Sequence, residues 1–221
     1  MIKISNLYKR YDNKVIFKDF SLTLDDEKIN CILGESGIGK STLLNILAGI
    51  ENYEEGNIEG DSLESISYVF QDDKLIPYLT VKRNLELFLY NYYDKEYGLR
   101  EMDKVLKMLN ILEVKNKYPR ELSGGIKQRV NIARALLKPS KLILLDEPFK
   151  SLDYKTKYCI IKEMKKILEQ QNRMVIFVTH DVDEAIAMEG KIIVFSDNPI
   201  IIKRVFENNL FKEKENIVKI I

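Results

Sequence analysis

Three short apolar runs in the chain have the pattern of strands that are buried on both faces. They are INCIL at 29–33, KLILLD at 141–146 and RMVIFVTH at 173–180. Continuous runs of leucine and β-branched residues are typical of a parallel sheet covered by helices on both sides. A helical pattern follows each run, so the sequence predicts an α/β layered core. Each run also ends in polar residues, and ligands of open α/β sheets bind at the carboxyl ends of the strands.

Between the first two of these runs the apolar pattern changes to a helical period. Apolar residues there recur every three to four positions, as at Leu106 and Leu109, which is the spacing of one helix face. The change predicts one domain over the whole chain, with a helical subdomain at 72–140. Residues 1–71 and 141–221 would form the α/β catalytic core with its β subdomain.

The two ends of the chain have less extensive patterns. Ile2 and Ile4 alternate with polar residues, which is the period of a half-buried strand. The same stretch has no apolar segment of the length found in secretion signals, so we expect none. Near the other end, KIIVFSDNPIIIKRVFE at 191–207 predicts two strands around a turn at Asp197 to Pro199. The last fifteen residues are charged and predict no definite element.

The segment GESGIGKST at 34–42 fits the pattern G-x-x-x-x-G-K-[ST] of a phosphate-binding loop. It follows the strand INCIL and precedes the helical run TLLNILAG, which is the context that such a loop requires. Lys40 would place a point charge on the β and γ phosphates, and Ser41 would offer its hydroxyl to Mg²⁺. The candidate nucleotide-binding residues of this loop are Gly34, Glu35, Ser36, Gly37, Ile38, Gly39, Lys40, Ser41 and Thr42.

Polar residues that follow the other predicted strands are candidates for the chemistry. Asp146 ends a buried strand and can hold Mg²⁺ through its water shell, while Glu147 can accept a proton from an attacking water. His180, the only histidine in the chain, can bond a γ-phosphate oxygen or hold that water. Gln71 can touch the metal or the water. We therefore predict Glu147, His180 and Gln71 as catalytic, and Ser41, Gln71 and Asp146 as metal-binding.

The stretch LSGGIKQR at 122–129 has the features of a second anion site. Ser123, Gly124 and Gly125 precede a basic amphipathic run, and free amides and the positive end of a helix dipole meet at such a place. Because the loop at 34–42 already accounts for one nucleotide, this second site predicts a phosphate that belongs to another chain.

In their order along the chain, these motifs resemble those of the ATP-binding cassette subunit of ABC transporters. The set consists of GESGIGKST, Gln71, LSGGIKQR, LLDEP, SLD at 151–153 and His180. The resemblance implies a P-loop NTPase core with a mostly parallel sheet, an N-terminal antiparallel β subdomain and an inserted helical subdomain. It also implies an ATPase that uses ATP and Mg²⁺. Two such cassettes would meet head to tail, each LSGG loop closing on the partner's nucleotide.

The resemblance extends to further residues and partners. It matches Tyr11 to the aromatic side chain that stacks on adenine, Gln71 to the loop that senses the transporter, Asp153 to the interface loop and His180 to the switch. It implies a transmembrane permease that docks near 71–80, an external substrate-binding protein, and a peripheral location on the cytoplasmic face of the membrane. FQDDKLIPYLTV and THDVDEAIAM are most similar to importer cassettes of the nitrate, sulfonate and taurine group.

Composition limits the alternatives to this interpretation. Thirty-five basic against thirty-four acidic residues argue against a surface that coats nucleic acid. Cys31 and Cys159 lack metal-site spacing, so we expect both to be small core residues in a reducing compartment. The alternatives that remain are an exporter or lipoprotein-release cassette, a non-transport ATPase that acts on ribosomes or DNA, and a nucleotide-binding regulator without chemistry.

Overall fold

The computed structural model describes residues 1–26 and 29–221 of the chain, which contain two β-sheets and seven α-helices. The strands are β1 (Ile2–Tyr11), β2 (Lys14–Leu24), β3 (Ile29–Leu33), β4 (Glu55–Glu59), β5 (Ile66–Val69), β6 (Leu142–Asp146), β7 (Met174–Thr179), β8 (Lys191–Ser196) and β9 (Ile201–Phe206). The helices are α1 (Lys40–Leu47), α2 (Val81–Leu89), α3 (Lys95–Met108), α4 (Gly124–Leu137), α5 (Tyr154–Gln171), α6 (Val182–Ala187) and α7 (Leu210–Val218). Short 3-10 turns lie at Asp61–Glu64, Leu112–Val114 and Pro119–Glu121.

The larger sheet has six strands in the order β5-β6-β7-β3-β8-β9. The first five are parallel, and β9 pairs antiparallel with β8. Strands β6 and β7 are buried along their whole length, as their unbroken apolar sequences predict. The order of the central strands confirms the α/β core, and it places the carboxyl ends of β3, β6 and β7 side by side at one edge.

The smaller sheet has three antiparallel strands in the order β2-β1-β4. Ile2 and Ile4 of β1 are buried, in agreement with the alternation in the sequence. They pack in one apolar cluster with Leu43 and Leu44 of α1 and with Ile32 of β3. This sheet therefore covers α1 and one face of the larger sheet, and the predicted antiparallel β subdomain is confirmed.

Helices α2, α3 and α4 occupy residues 81–137 and pack with the opposite face of the larger sheet. Leu85, Leu106 and Val130 are buried in one cluster with Phe149 and Phe177, because each helix carries an apolar stripe at three-to-four residue spacing. The division of the chain at residues 72 and 140 stays a prediction. Among the described residues we find no helix with the length and apolar character to cross a membrane.

The end of the chain and the two cysteines complete the fold. Strands β8 and β9 form the predicted antiparallel pair, and α7 lies within the last fifteen residues.

Cys31 is buried in β3, and burial raises the pKa of its thiol. The prediction that Cys159 is a core residue is wrong, because its position on α5 faces outward and the side chain is exposed.

Candidate functional site

The loop between β3 and α1 has the backbone of an anion site. Gly39 has a φ of 121°, and a Cβ added there would lie 2.5 Å from Cγ2 of Ile16, so only glycine suits the position. Helix α1 begins directly after it, with no side-chain cap and no acidic residue in its first turn. Its free amides and its positive dipole end are therefore available to a phosphate group.

Lys40 supplies the positive charge of this loop. It is 4% exposed, and its Nζ donates hydrogen bonds to the carbonyl oxygens of Gly34 (2.8 Å) and Glu35 (2.7 Å). Burial lowers the pKa of this ammonium, while the nearby carboxylates of Glu147 and Asp146 act to raise it. A phosphate group fits this environment because it offers a buried ammonium a partner of opposite charge.

Ser41 and Asp146, two of the predicted metal ligands, are in direct contact. The Ser41 hydroxyl donates to Oδ1 of Asp146 over 2.9 Å. Asp146 is 4% exposed, and burial raises its pKa although Ser41 and Lys40 oppose the shift. A carboxylate beside a hydroxyl, close to a phosphate loop, fits Mg²⁺, which prefers hard oxygen ligands and takes others from phosphates and water.

Glu147 and His180 form a second polar pair beside the first. His180 Nδ1 lies 3.0 Å from Oε1 of Glu147. The backbone of Glu147 has a φ of 44°, an uncommon left-handed conformation that residues in functional sites often adopt. Burial would raise the pKa of Glu147, but His180 and Lys150 together hold it below its usual value. Its Oε2 is buried and makes no hydrogen bond with the described residues, although the ammonium of Lys150 lies 3.3 Å away.

Two residues near these pairs were not predicted from the sequence as part of the site. Lys150 Nζ lies 3.3 Å from Oε2 of Glu147, and Tyr68 is close enough to Asp146 for the two side chains to influence each other's pKa. The only sequence signal for Lys150 is an acidic and a basic residue three positions apart. Tyr68 gives no signal, because tyrosine is common in half-buried strands.

A cleft of about 260 Å³ joins the phosphate loop to the strand ends. Its lining residues are Ser36, Gly37, Gly39, Lys40, Ser41, Thr42, Gln71, Glu147 and Lys150. Six of the nine predicted loop residues therefore meet Gln71 and Glu147 in one place. Glu35 and Ile38 instead line a neighbouring cleft of about 440 Å³ beside the turn between β8 and β9, which Ser36 and Gly37 also border.

Tyr11 lies at the end of β1 with its ring partly exposed. Lys9 Nζ is 4.8 Å from the centre of this ring. Burial and the carboxylate of Glu51 raise the pKa of the Tyr11 hydroxyl, and Thr42 acts on the same hydroxyl in the opposite direction. Because Thr42 also lines the cleft, the ring is near the phosphate loop without being part of its lining.

The residues of the LSGG segment lie elsewhere on the surface. Ser123 and Gly124 are exposed at the start of α4. The Ser123 side chain makes no cap hydrogen bond, and the first turn has no acidic residue, so this helix end also suits an anion. None of the three predicted residues of this segment is among the described residues that line the 260 Å³ cleft.

The segment that contains Asp153 packs against the LSGG segment. A Cβ added at Gly125 would lie 2.9 Å from the carbonyl oxygen of Ser151, so this close approach requires glycine. Asp153 itself is exposed, and its Oδ1 accepts a hydrogen bond of 3.0 Å from the amide of Thr156. In this chain Asp153 therefore stabilises the first turn of α5.

Comparison with known proteins identifies a protein family and relatives to which this chain is similar. Residues 17–150 match a family model described as ABC transporter. An aliphatic sulfonates import ATP-binding protein, SsuB, from Bacillus thuringiensis subsp. konkukian is 38% identical over 220 residues, 94% of this chain and 85% of the relative. A taurine import ATP-binding protein, TauB, from Shigella boydii serotype 4 is 36% identical over 207 residues, 90% of this chain and 81% of the relative.

A solved structure gives the same result for the fold. The dimeric, post-hydrolysis state of the ATP-binding cassette MJ0796, bound to ADP and Pi, superimposes with a TM-score of 0.81 at 33% identity. The match covers 94% of this chain and 98% of the other. At this similarity the predicted cassette fold is confirmed.

Proposed function

This chain belongs to the ABC transporter family, and from its site we propose that it drives import by hydrolysing ATP between two cassettes. The observation that carries the proposal is the meeting of Lys40, the Ser41–Asp146 pair and the Glu147–His180 pair at one sheet edge. A phosphate loop, a carboxylate suited to Mg²⁺ and a carboxylate suited to water are the parts that phosphoryl transfer to water requires.

The loop and Tyr11 would bind the nucleotide. The amides of residues 34–42 and the Lys40 ammonium would hold the phosphates, while the exposed Tyr11 ring would stack on adenine. Ser41 and Asp146 would hold Mg²⁺, with Gln71 at the mouth of the cleft as a further ligand. When bound, this ion neutralises the negative charge that develops on the phosphate oxygens.

Hydrolysis would depend on Glu147. The oxygen of a water molecule bonds to the γ-phosphorus, and the bond from this phosphorus to the bridging oxygen of ADP breaks. Glu147 takes a proton from the water through Oε2 and passes it to the inorganic phosphate that forms, while ADP is the leaving group. His180 holds Oε1 and so orients the carboxylate, and Oε2 would accept the proton once the exposed side chain of Lys150 moves from it.

A second cassette would complete each nucleotide site. Ser123, Gly124 and Gly125 lie at the start of α4, a helix end that suits an anion, and they do not line the cleft of their own chain. In a head-to-tail pair they would contact the γ-phosphate held by the partner, with Asp153 at the interface. The dimeric state of the similar cassette MJ0796 supports this assembly.

A permease would receive the motion of the pair at a groove beside Gln71. This groove has a volume of about 310 Å³. Its lining residues are Ile66, Ser67, Tyr68, Phe70, Lys74, Phe88, Tyr92, Arg134, Ala135 and Lys138. Aromatic side chains rimmed by cations suit a short permease helix with an apolar face and an acidic residue.

The names of the relatives support the finer assignment. Import of sulfonates and of taurine is stated for relatives that share more than a third of their residues with this chain. We therefore assign an alkanesulfonate or a related small anion as the transported substrate. An external binding protein would deliver it, and the chain would lie on the cytoplasmic face of the membrane.

Reconstitution of the natural complex tests this function. The tagged chain would be purified from solubilised membranes of the cells that produce it, and its permease would be identified by mass spectrometry. Vesicles with this complex, ATP on the cassette side and the binding protein outside should accumulate labelled taurine or alkanesulfonate. Export under the same conditions, or purification without a permease, would contradict the proposal.

A further inference from the structure

A partly buried polar network outside the cleft holds the turn that carries His180. The hydroxyl of Thr179 donates to Oε2 of Glu184 over 2.7 Å and accepts from the amide of Asp181 over 3.0 Å. The Asp181 carboxylate in turn accepts from the amide of Glu184. Both neighbours of His180 in the chain are therefore fixed to the start of α6.

Lys157 joins this network from another helix. Its Nζ lies 2.5 Å from Oε1 of Glu184 and 3.2 Å from Oδ2 of Asp181. The lysine side chain is 15% exposed and that of Glu184 is 4% exposed. Burial would lower the pKa of Lys157, but the two carboxylates raise it above its usual value, so the side chain stays charged at neutral pH.

The position of Lys157 along the chain gives this contact its significance. Lys157 is in the first turn of α5, and its amide donates to the carbonyl oxygen of Asp153 over 2.9 Å. Ser151, two residues before Asp153, packs against Gly125 of the LSGG segment. One side chain thus connects the segment at 151–153 with the turn of His180.

We propose that Lys157 is a positioning residue for ATP hydrolysis. It fixes the position of His180, and through His180 that of Glu147, relative to the interface segment at 151–153. This inference rests on the proposed function. Lys157 does not line the nucleotide cleft, so it does not touch substrate. Its effect on hydrolysis would be indirect, through the place of the imidazole.

Loss of this lysine would disturb the turn for a physical reason. Glu184 would remain as a buried carboxylate without its cationic partner, and such a group moves toward water or draws water in. Because Thr179 is bonded to the same carboxylate, the turn would move with it. A displacement of about 1 Å in a positioning group can lower a rate by roughly 100-fold.

Lys165 provides a matched control. It lies on the same helix α5, its side chain is also 15% exposed, and its Nζ is 2.7 Å from Oε2 of Glu189, just beyond α6. Both lysines therefore tie α5 to the α6 region, Lys157 by two ion pairs and Lys165 by one, to a carboxylate that is 61% exposed. Only Lys157 reaches the turn of His180, so Lys165 shows what the loss of an ion pair between α5 and the α6 region does to hydrolysis by itself.

The experiment compares Lys157→Met, Lys157→Arg and Lys165→Met in the full chain. We expect Lys157→Met to lower kcat for ATP by roughly 10- to 100-fold with a change in KM within about twofold. Lys157→Arg should recover most of the rate, since a guanidinium can pair with both carboxylates. Lys165→Met should leave kcat within about twofold of the wild type, with a smaller loss of thermal stability than Lys157→Met because Glu189 is exposed to water.

A spectroscopic measurement tests directly whether the His180 imidazole keeps its position. Because His180 is the only histidine, its imidazole gives a single set of side-chain NMR signals when the purification tag contains no histidine. These signals should shift or broaden in Lys157→Met and stay unchanged in Lys165→Met. If the methionine variant does not fold, Lys157→Gln replaces it, with the same expected changes.

The inference would be overturned by an unchanged kcat in Lys157→Met, by an equal loss in Lys165→Met, or by His180 signals that do not respond. Failure of the wild type to hydrolyse ATP would instead contradict the proposed function. In that case the NMR comparison still decides whether Lys157 positions His180.

Discussion

His180 Nδ1 lies 3.0 Å from Oε1 of Glu147, although 33 positions separate the two residues in the chain. They meet because β6 and β7 are parallel neighbours, with Asp146 paired to Val178, and so end at the same edge. The contact uses one carboxylate oxygen, while the other makes no hydrogen bond and has the ammonium of the exposed Lys150 side chain at 3.3 Å. A general base that is oriented at one oxygen and available at the other is what water activation requires.

Replacement of this base should separate binding from chemistry. We expect Glu147→Gln to lower ATP hydrolysis by roughly 10²- to 10⁴-fold, the contribution of a general base, with nucleotide affinity retained because the amide keeps the shape of the side chain. Phosphate release and fluorescent-nucleotide binding would measure the two quantities. Turnover at the wild-type rate would exclude Glu147 as the base.

Heterodimers should reveal whether the LSGG segment acts across an interface. If each nucleotide site is shared between the two chains, a pair with Ser123→Arg in one chain and Lys40→Ala in the other has both defects in one site. The other site is then intact. We expect such a pair, isolated with two different tags, to retain one trapped nucleotide, whereas each single-variant homodimer traps none. Loss of both sites in the mixed pair would show that each LSGG segment serves its own chain.

Removal of the Tyr11 ring should weaken nucleotide binding. Stacking of an aromatic side chain on a base contributes about 1–3 kcal/mol, so Tyr11→Ala should raise the Kd for ATP by roughly 5- to 150-fold. Tyr11→Phe keeps the ring and should bind nearly as the wild type does. Tyr78→Ala, which removes an exposed tyrosine outside the cleft, is the control, and an equal effect there would argue against stacking.

Stability should depend on pH through Asp181. Burial would raise its pKa, but the Glu184 amide and Lys157 hold it below its usual value. A carboxylate with a lowered folded-state pKa stabilises the protein above its unfolded pKa, and this contribution is lost as the pH falls through the folded value. Asp181→Asn keeps the helix cap and removes the charge.

We therefore expect the free energy of unfolding of the wild type to exceed that of Asp181→Asn at neutral pH. The difference should shrink below about pH 4. Urea unfolding at a series of pH values measures it. A difference that is constant with pH would show that the charge of Asp181 contributes nothing.

Gly190 should contribute to the stability of the fold. A Cβ added there would lie 2.1 Å from the carbonyl oxygen of Ile29, and neither backbone can yield easily because both lie beside the central strands. We expect Gly190→Ala to lower the free energy of unfolding by about 1–3 kcal/mol. Gly124→Ala, where an added Cβ meets nothing within 4 Å, should leave it unchanged or slightly raised. Equal stability of the two variants in urea would contradict the contact.

The strands that carry the site could be predicted because the residues within each strand are enough to identify it as a buried strand. Unbroken apolar runs predict buried parallel strands, and the pattern at 34–42 predicts a phosphate loop by its spacing alone. The position of Cys159 could not be predicted in this way, since a helix places neighbouring residues on opposite faces. Lys150, Tyr68 and Lys157 were missed because surface lysines and strand tyrosines are common, and only their neighbours in space distinguish them.

The sequence by itself determined which chemical groups this protein has: an ammonium and a hydroxyl after one strand, two carboxylates after another and one imidazole after a third. Tertiary structure decided which of them meet, since the order β6-β7-β3 makes neighbours of Ser41 and Asp146, and of Glu147 and His180. It also decided that the LSGG segment lies outside the lining of its own cleft. The physical reason is that strand order and helix packing depend on contacts between distant parts of the chain, which no local pattern contains.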